Sequence, residues 1–201
     1  MIALLCAVFF ALLAYIAATC SAFVCAGISP ADDGPPAGKA PQLLLIAAAA
    51  VLGAVMAYLG AQPLQLGVTA IVVFALVACW CSDAACGIVP DVFTLGPLAA
   101  LLFFAAAQRN WWMIVSAILL IIPFAAAAIF SRGYGMGWGD VKLVALSGAV
   151  LGAPLGAFAM AIACAIAVIA HRFGKTRNSP IAFAPYIAAL TGVALPLGLT
   201  H

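Results

Sequence analysis

The sequence predicts an all-α fold, a polytopic membrane bundle of about eight spanning helices (six to eight) forming a single membrane-embedded domain over residues 1–201. Three observations lead there. Hydrophobic residues make up 69% of the chain and charged residues only 6%, against roughly 25% charged in a soluble domain. A chain this short cannot hide so much apolar surface inside itself, so lipid must take the outward-facing side chains. The apolar residues also fall into runs near the ~20 residues that a bilayer crossing needs, and the basic residues sort to one side once those runs are threaded.

Eight runs qualify: residues 2–26, 43–60, 64–82, 92–107, 111–130, 140–152, 155–171 and 181–199. The first lacks the charged leading segment of a signal peptide and is long, so it reads as a retained span. The second follows ISPADDGPPAGKAP (28–41), a connector rich in Pro, Gly and Asp without apolar periodicity. The third ends at Asp83, and the fourth opens just after Pro90, at Asp91. The fifth starts with Trp111 and Trp112, an interfacial aromatic anchor. The sixth begins at Asp140; Gly152-Ala153-Pro154 then either turns the chain into a seventh span or kinks one long helix over 141–170. The eighth lies in the Pro- and aromatic-containing segment near the C-terminus.

With the N-terminus outside, the inner loops are 27–42, 83–91, 131–139 and 172–180. They and their flanks carry Lys39, Arg132, Lys142, Arg172, Lys175 and Arg177, and the outer side carries Arg109 alone. That asymmetry is what the positive-inside rule expects. It brings Asp83, Asp91 and Asp140 to the cytoplasmic face. A net charge of +2 without a basic arm leaves no nucleic-acid footprint. The seven cysteines form no C-x-x-C pair, most lie in apolar runs, and CWCSDAAC (79–86) fits no common metal spacing.

The acids are the informative residues. There is no Glu, and the five Asp are Asp32, Asp33, Asp83, Asp91 and Asp140. An Asp at the edge of hydrocarbon is expensive and points to function by default. Asp91 reads as a helix N-cap. Asp83 does not, because it sits at the C-terminal end of its span, where the helix dipole disfavours a negative charge. Asp140 follows Gly133, Gly135, Gly137 and Gly139, more glycine than a cap requires. Two carboxylates meeting in a partly dehydrated site share a proton, and one then activates water while the other donates to a carbonyl. Such chemistry needs no metal and no cofactor. A side-chain-free approach to the pair admits an extended peptide, although glycines build an ordinary interhelical loop equally well. The residues alone leave both readings open.

Three stretches resemble the type IV prepilin peptidase family, aspartic membrane proteases of the G-x-G-D class. They are DAACGIVPD from Asp83, GMGWGDVKL from Gly135 and PIAFAPYIAALTG from Pro180. Together they cover roughly residues 64–200, the expected catalytic core, in the family's order. The resemblance implies catalytic roles for Asp83 and Asp140, with Gly137 and Gly139 shaping the substrate-side backbone and Lys142 and Asp91 supporting. Lys142 either tunes the pair or snorkels to the interface. The implied setting is the bacterial inner membrane, with the site at its cytoplasmic face. The implied substrates are prepilins or pseudopilins, whose short basic leader is cut off after a Gly, and the implied partners are pilus or type II secretion machinery.

Two departures shape the expectation. Long members insert a domain with two C-x-x-C pairs after the first span, linked to methylation of the new N-terminus. Here residues 28–41 stand in that place, so peptidase activity without methyl transfer is expected. The family's basic residue after the first Asp is replaced by Ala84 and Ala85, which bears on how a leader is anchored. Other readings are a related G-x-G-D protease with different membrane peptides, a small transporter relaying protons or cations through the aspartates, and an inactive assembly factor. The spans are almost wholly Ala, Leu, Val, Ile and Phe, which disfavours transport, and both aspartates are present, which disfavours inactivity.

Overall fold

The computed structural model describes residues 1–28, 39–130, 137–173 and 183–198. Among these it is all-helical, with eight helices: α1 (Ile2–Ile28), α2 (Lys39–Tyr58), α3 (Pro63–Cys86), α4 (Asp91–Ala107), α5 (Trp111–Phe130), α6 (Trp138–Leu151), α7 (Ala153–Phe173) and α8 (Ala184–Gly198). Asp32, Asp33, Gly133, Gly135, Arg132, Lys175 and Arg177, with most of the connector 28–41 and of the inner loops at 131–139 and 172–180, lie outside the described residues. Among the described residues four helices are long and apolar enough to cross a bilayer: α1, α3, α5 and α7, the last over Ala153–Ala170. Shorter apolar segments lie in α2, α4 and α8. The chain is a helical membrane protein.

The helices share one buried core, to which Phe10, Leu45, Val72, Leu101, Leu120, Leu146, Met160 and Ile187 each bring a helix. Many large apolar side chains point outward, among them Phe23, Phe103, Phe130 and Val193, at 75% exposure or more. Water would not tolerate that surface, and lipid does.

Small residues set the closest helix approaches. A Cβ on Gly53 of α2 would meet the Phe10 ring of α1 at 2.7 Å, so that glycine admits the ring. Residues 141–170 do not form one kinked helix. The chain reverses at Gly152, whose φ of 76° belongs to the left-handed side that glycine adopts freely. The reversal is visible in the pair Gly148 and Gly156, four residues either side of the turn. A Cβ on Gly156 would lie 3.7 Å from the Cα of Gly148, whereas residues eight apart on one continuous helix stand ~12 Å apart. Leu120 of α5 covers both glycines and closes the seam.

Helix α6 is the centre of the bundle, packed against α4, α5, α7 and α8. Every residue from Leu143 to Leu151 is buried. Its Ser147 hydroxyl lies 2.8 Å from that of Thr191 on α8 and 2.9 Å from the Leu143 carbonyl, so a buried polar pair is satisfied inside the apolar core.

Candidate active site

The site forms where the C-terminal end of α3 meets the N-terminal ends of α6 and α8. Helix α3 opens with Pro63 in its first turn, and the Gln65 side chain accepts the Gln62 N–H at 2.8 Å. It closes at Gly87, whose φ of 65° gives a left-handed cap and whose N–H donates to the Asp83 carbonyl at 2.9 Å. The helix therefore runs one turn past the expected end at residue 82, and Asp83 sits inside its last turn.

The Asp83 carboxylate accepts the backbone N–H of Ala184, the first residue of α8. The opening N–H groups of a helix lack intrahelical partners and carry the positive end of its dipole. Asp83 is thus disfavoured by its own helix and favoured by another, which accounts for an acid at this position. Its second acceptor, Oδ2, is buried with no hydrogen-bond partner among the described residues.

Asp140 is the third residue of α6 and reaches back to the N–H of Gly137, the residue before the helix. That is the returning half of a capping box, with a glycine as the cap. Both aspartates consequently lie at helix N-termini, Asp140 at that of α6 and Asp83 at that of α8. The charge of Asp83 bears on Asp140, and both bear on the buried Cys79 thiol one turn before Asp83. Cys79 Sγ also lies 3.8 Å from the Phe93 carbonyl of α4.

The two glycines beside Asp140 differ. A Cβ on Gly139 would sit 2.7 Å from the Cβ of Val89, in the connector that follows Asp83. Gly139 is what lets the α3–α4 connector and the start of α6 touch. Among the described residues, a Cβ on Gly137 would meet only Asp140 Oδ2, at 3.6 Å, and Gly139 N, at 3.9 Å, which are ordinary contacts.

Asp91 is not an N-cap. Pro90 occupies that position, and Asp91 is the first residue of α4. Its carboxylate instead takes the Lys142 ammonium at 2.5 Å, an ion pair that ties α4 to α6. Lys142 is therefore paired rather than snorkelling alone. Trp138 is half-exposed at the first position of α6.

Three features of the site were not anticipated. One is the Ala184 N–H. Another is the Val89–Gly139 contact. The third joins Cys25, at the end of α1, to Cys86 as a disulfide with Cα atoms 6.3 Å apart, three residues beyond Asp83; in the sequence Cys25 lies in an apolar run and Cys86 closes CWCSDAAC, whose spacing fits no common metal site. Among the described residues no group of three or more His, Cys, Asp or Glu is gathered to hold a metal ion.

No curated protein and no solved structure matches the chain. The sequence model of the type IV leader peptidase family matches residues 69–171, just over half of the 201 residues. The match spans Asp83, Asp91, Gly137, Gly139, Asp140 and Lys142, and ends before α8 and the segment that begins at Pro180. A membrane-embedded helical bundle carrying this match belongs to the type IV leader peptidase family, and the protein is a protease.

Proposed function

We propose that the protein is an aspartic endopeptidase that removes the short basic leader of prepilins or pseudopilins, cutting after Gly, with Asp83 and Asp140 as its catalytic pair. The observation that carries this reading is that two carboxylates stand at one end of the bundle, near enough for the charge of Asp83 to bear on Asp140, each beside a backbone N–H and Asp83 with a buried oxygen that has no partner among the described residues.

The chemistry follows from a pair that shares one proton. The ionised carboxylate takes a proton from water as the oxygen attacks the scissile carbonyl, and the protonated partner donates to the carbonyl oxygen. The tetrahedral intermediate collapses as the amide nitrogen takes a proton and leaves as an amine. Helix N-termini beneath both carboxylates keep negative charge at this end of the bundle. The site lies at the cytoplasmic face of the bacterial inner membrane, an orientation supported by the distribution of basic residues. The product carries an unmethylated N-terminus, since residues 28–41 stand where longer relatives carry the methylating domain.

The test is cleavage of a pilin-like precursor in membranes by the wild-type protein, Asp83→Asn and Asp140→Asn, with the product N-terminus read by mass spectrometry. Loss of at least ~10³-fold in each variant at normal expression, and a free amine after the leader Gly, is the expected result. Cleavage that survives either substitution removes that aspartate from the reaction. A chelator leaves the rate unchanged if two carboxylates are the whole apparatus.

A further inference from the structure

An apolar groove of about 500 Å³ runs between α2, α3 and α8, with the exposed Leu44, Val51 and Val193 among its lining residues. Its floor is α3, from Val73 to Trp80; its walls are α2, from Leu44 to Val55, and α8, from Ala188 to Pro196. The stretch from Leu44 to Val55 is ~16 Å along a helix axis, three turns. On the α8 wall, Ala188, Ala189 and Gly192 are small, and a Cβ on Gly192 would meet nothing within 4 Å. No side chain among the described residues fills that notch. Small residues on an open helix face let a second helix approach backbone to backbone, which is how helices associate in lipid.

The lining of the groove stops one turn short of the catalytic pair on both α3 and α8. Trp80 is one turn before Asp83 on α3, and Ala188 is one turn after Ala184, whose N–H holds the Asp83 carboxylate. Charge selects the occupant. A phospholipid acyl chain in this groove would bring its phosphate up to Asp83 and Asp140, like against like. A peptide helix leaving the groove at that end presents neutral backbone or cationic side chains to the same two carboxylates.

We propose that the α2–α3–α8 groove seats the apolar helix of the precursor, with Gly192 as the point of closest approach, so that the polypeptide on its cytoplasmic side passes over Asp83 and Asp140. This rests on the leader-peptidase reading and adds where the uncut substrate binds. The groove then fixes the cut at a set distance from the start of the substrate's apolar helix.

The experiment uses the full chain in proteoliposomes with a pilin-like precursor. A photo-crosslinking side chain is placed at Val193, on the groove lip, or at Phe103, on α4, which is 79% exposed and away from the groove. An Asp83→Asn background keeps the precursor intact. Capture of the precursor's apolar segment from position 193 and not from 103 is expected. Separately, Gly192→Leu fills the notch and lowers cleavage at sub-saturating precursor about tenfold, or ~1.4 kcal/mol of binding, with recovery at saturation. The proposal is overturned by equal capture from both positions, by capture only of lipid or of a second copy of the chain from position 193, or by a Gly192→Leu protein that cleaves like wild type at every concentration. Capture at 193 by a wild-type protein that cuts nothing would sink the peptidase reading while keeping the groove; cleavage without capture would do the reverse.

Discussion

The contact between Gly139 and Val89 leaves no room for even one methyl group at position 139. In Gly139→Ala the new Cβ lies 2.7 Å from Val89 Cβ, and 3.4 and 3.5 Å from its two methyls. Carbon atoms in good contact stand ~3.5–4.0 Å apart, so roughly 1 Å must be found. The nearest atom is a Cβ, fixed to the backbone, and no rotamer change moves it. The α3–α4 connector must therefore shift away from α6, opening the end of the bundle where Asp83 and Asp140 meet. Overpacking of this kind costs about 1–3 kcal/mol of stability, and a misplacement of ~1 Å between reacting groups costs on the order of 10²-fold in rate. The assay is precursor cleavage in proteoliposomes, paired with thermal unfolding in detergent. Gly137→Ala is the comparison, because its Cβ meets nothing among the described residues closer than 3.6 Å and its φ of −76° suits any residue; it should stay within about threefold of wild type. A Gly139→Ala/Val89→Gly double variant removes the clashing atom and should recover most of the lost rate. If Gly139→Ala is as active and as stable as the wild type, packing is not what holds a glycine there. If both alanine variants fail alike, the glycines serve the bound peptide and not the approach of the two aspartates.

Three further outcomes follow from the packing. Removing either partner of the half-exposed Asp91–Lys142 pair should cost about 0–1 kcal/mol, with Asp91→Asn, Lys142→Met and the double variant losing similar stability in a thermal double-mutant cycle; additive losses would show that the two act separately. Gly148→Ala brings a Cβ to 3.1 Å from the Ser116 carbonyl and 2.8 Å from Leu120 Cδ1, so about 1–3 kcal/mol is lost, and Leu120→Ala should return only the part due to the leucine. Ser147→Ala leaves the Thr191 hydroxyl without its buried partner and should cost about 0.6–1.7 kcal/mol, recovered when Thr191→Val is added; no recovery would mean that the pair is not what links α6 to α8.

Much of the fold could be read from the chain because its helices are apolar runs bounded by charge, Pro and Gly. The run 111–130 coincides with α5, and the other ends fall within a few residues. Gly152-Ala153-Pro154 was ambiguous for a physical reason: the same residues make a kink or a turn, and only the packing of Gly148 on Gly156 decides. The site was half legible. Acids at membrane edges are conspicuous because they are costly, so Asp83 and Asp140 stood out. Their supports did not, since a backbone N–H such as that of Ala184 has no letter of its own, and neither Val89 nor Cys25 differs locally from dozens of other apolar residues. The Asp91–Lys142 pair had a usable signal in two opposite charges expected at one face of a nearly uncharged protein, yet Pro90 before Asp91 made a cap the simpler reading.

The central position of α6 also bears on how the chain enters the bilayer. At 14 residues, with Asp140 and Lys142 in its first turns, α6 is not among the segments apolar enough to cross by themselves, whereas α7, directly after Gly152, is. The most enclosed helix is thus a poor client for the insertion machinery, and it is expected to be carried in by its neighbour as a hairpin folded at Gly152. A glycosylation-mapped insertion assay would show residues 138–151 failing to integrate alone and integrating when 152–173 are attached. Biogenesis would then deliver Asp140 last among the parts of the site that precede α8, and protect the membrane from an unpaired aspartate until Asp83 is already in place.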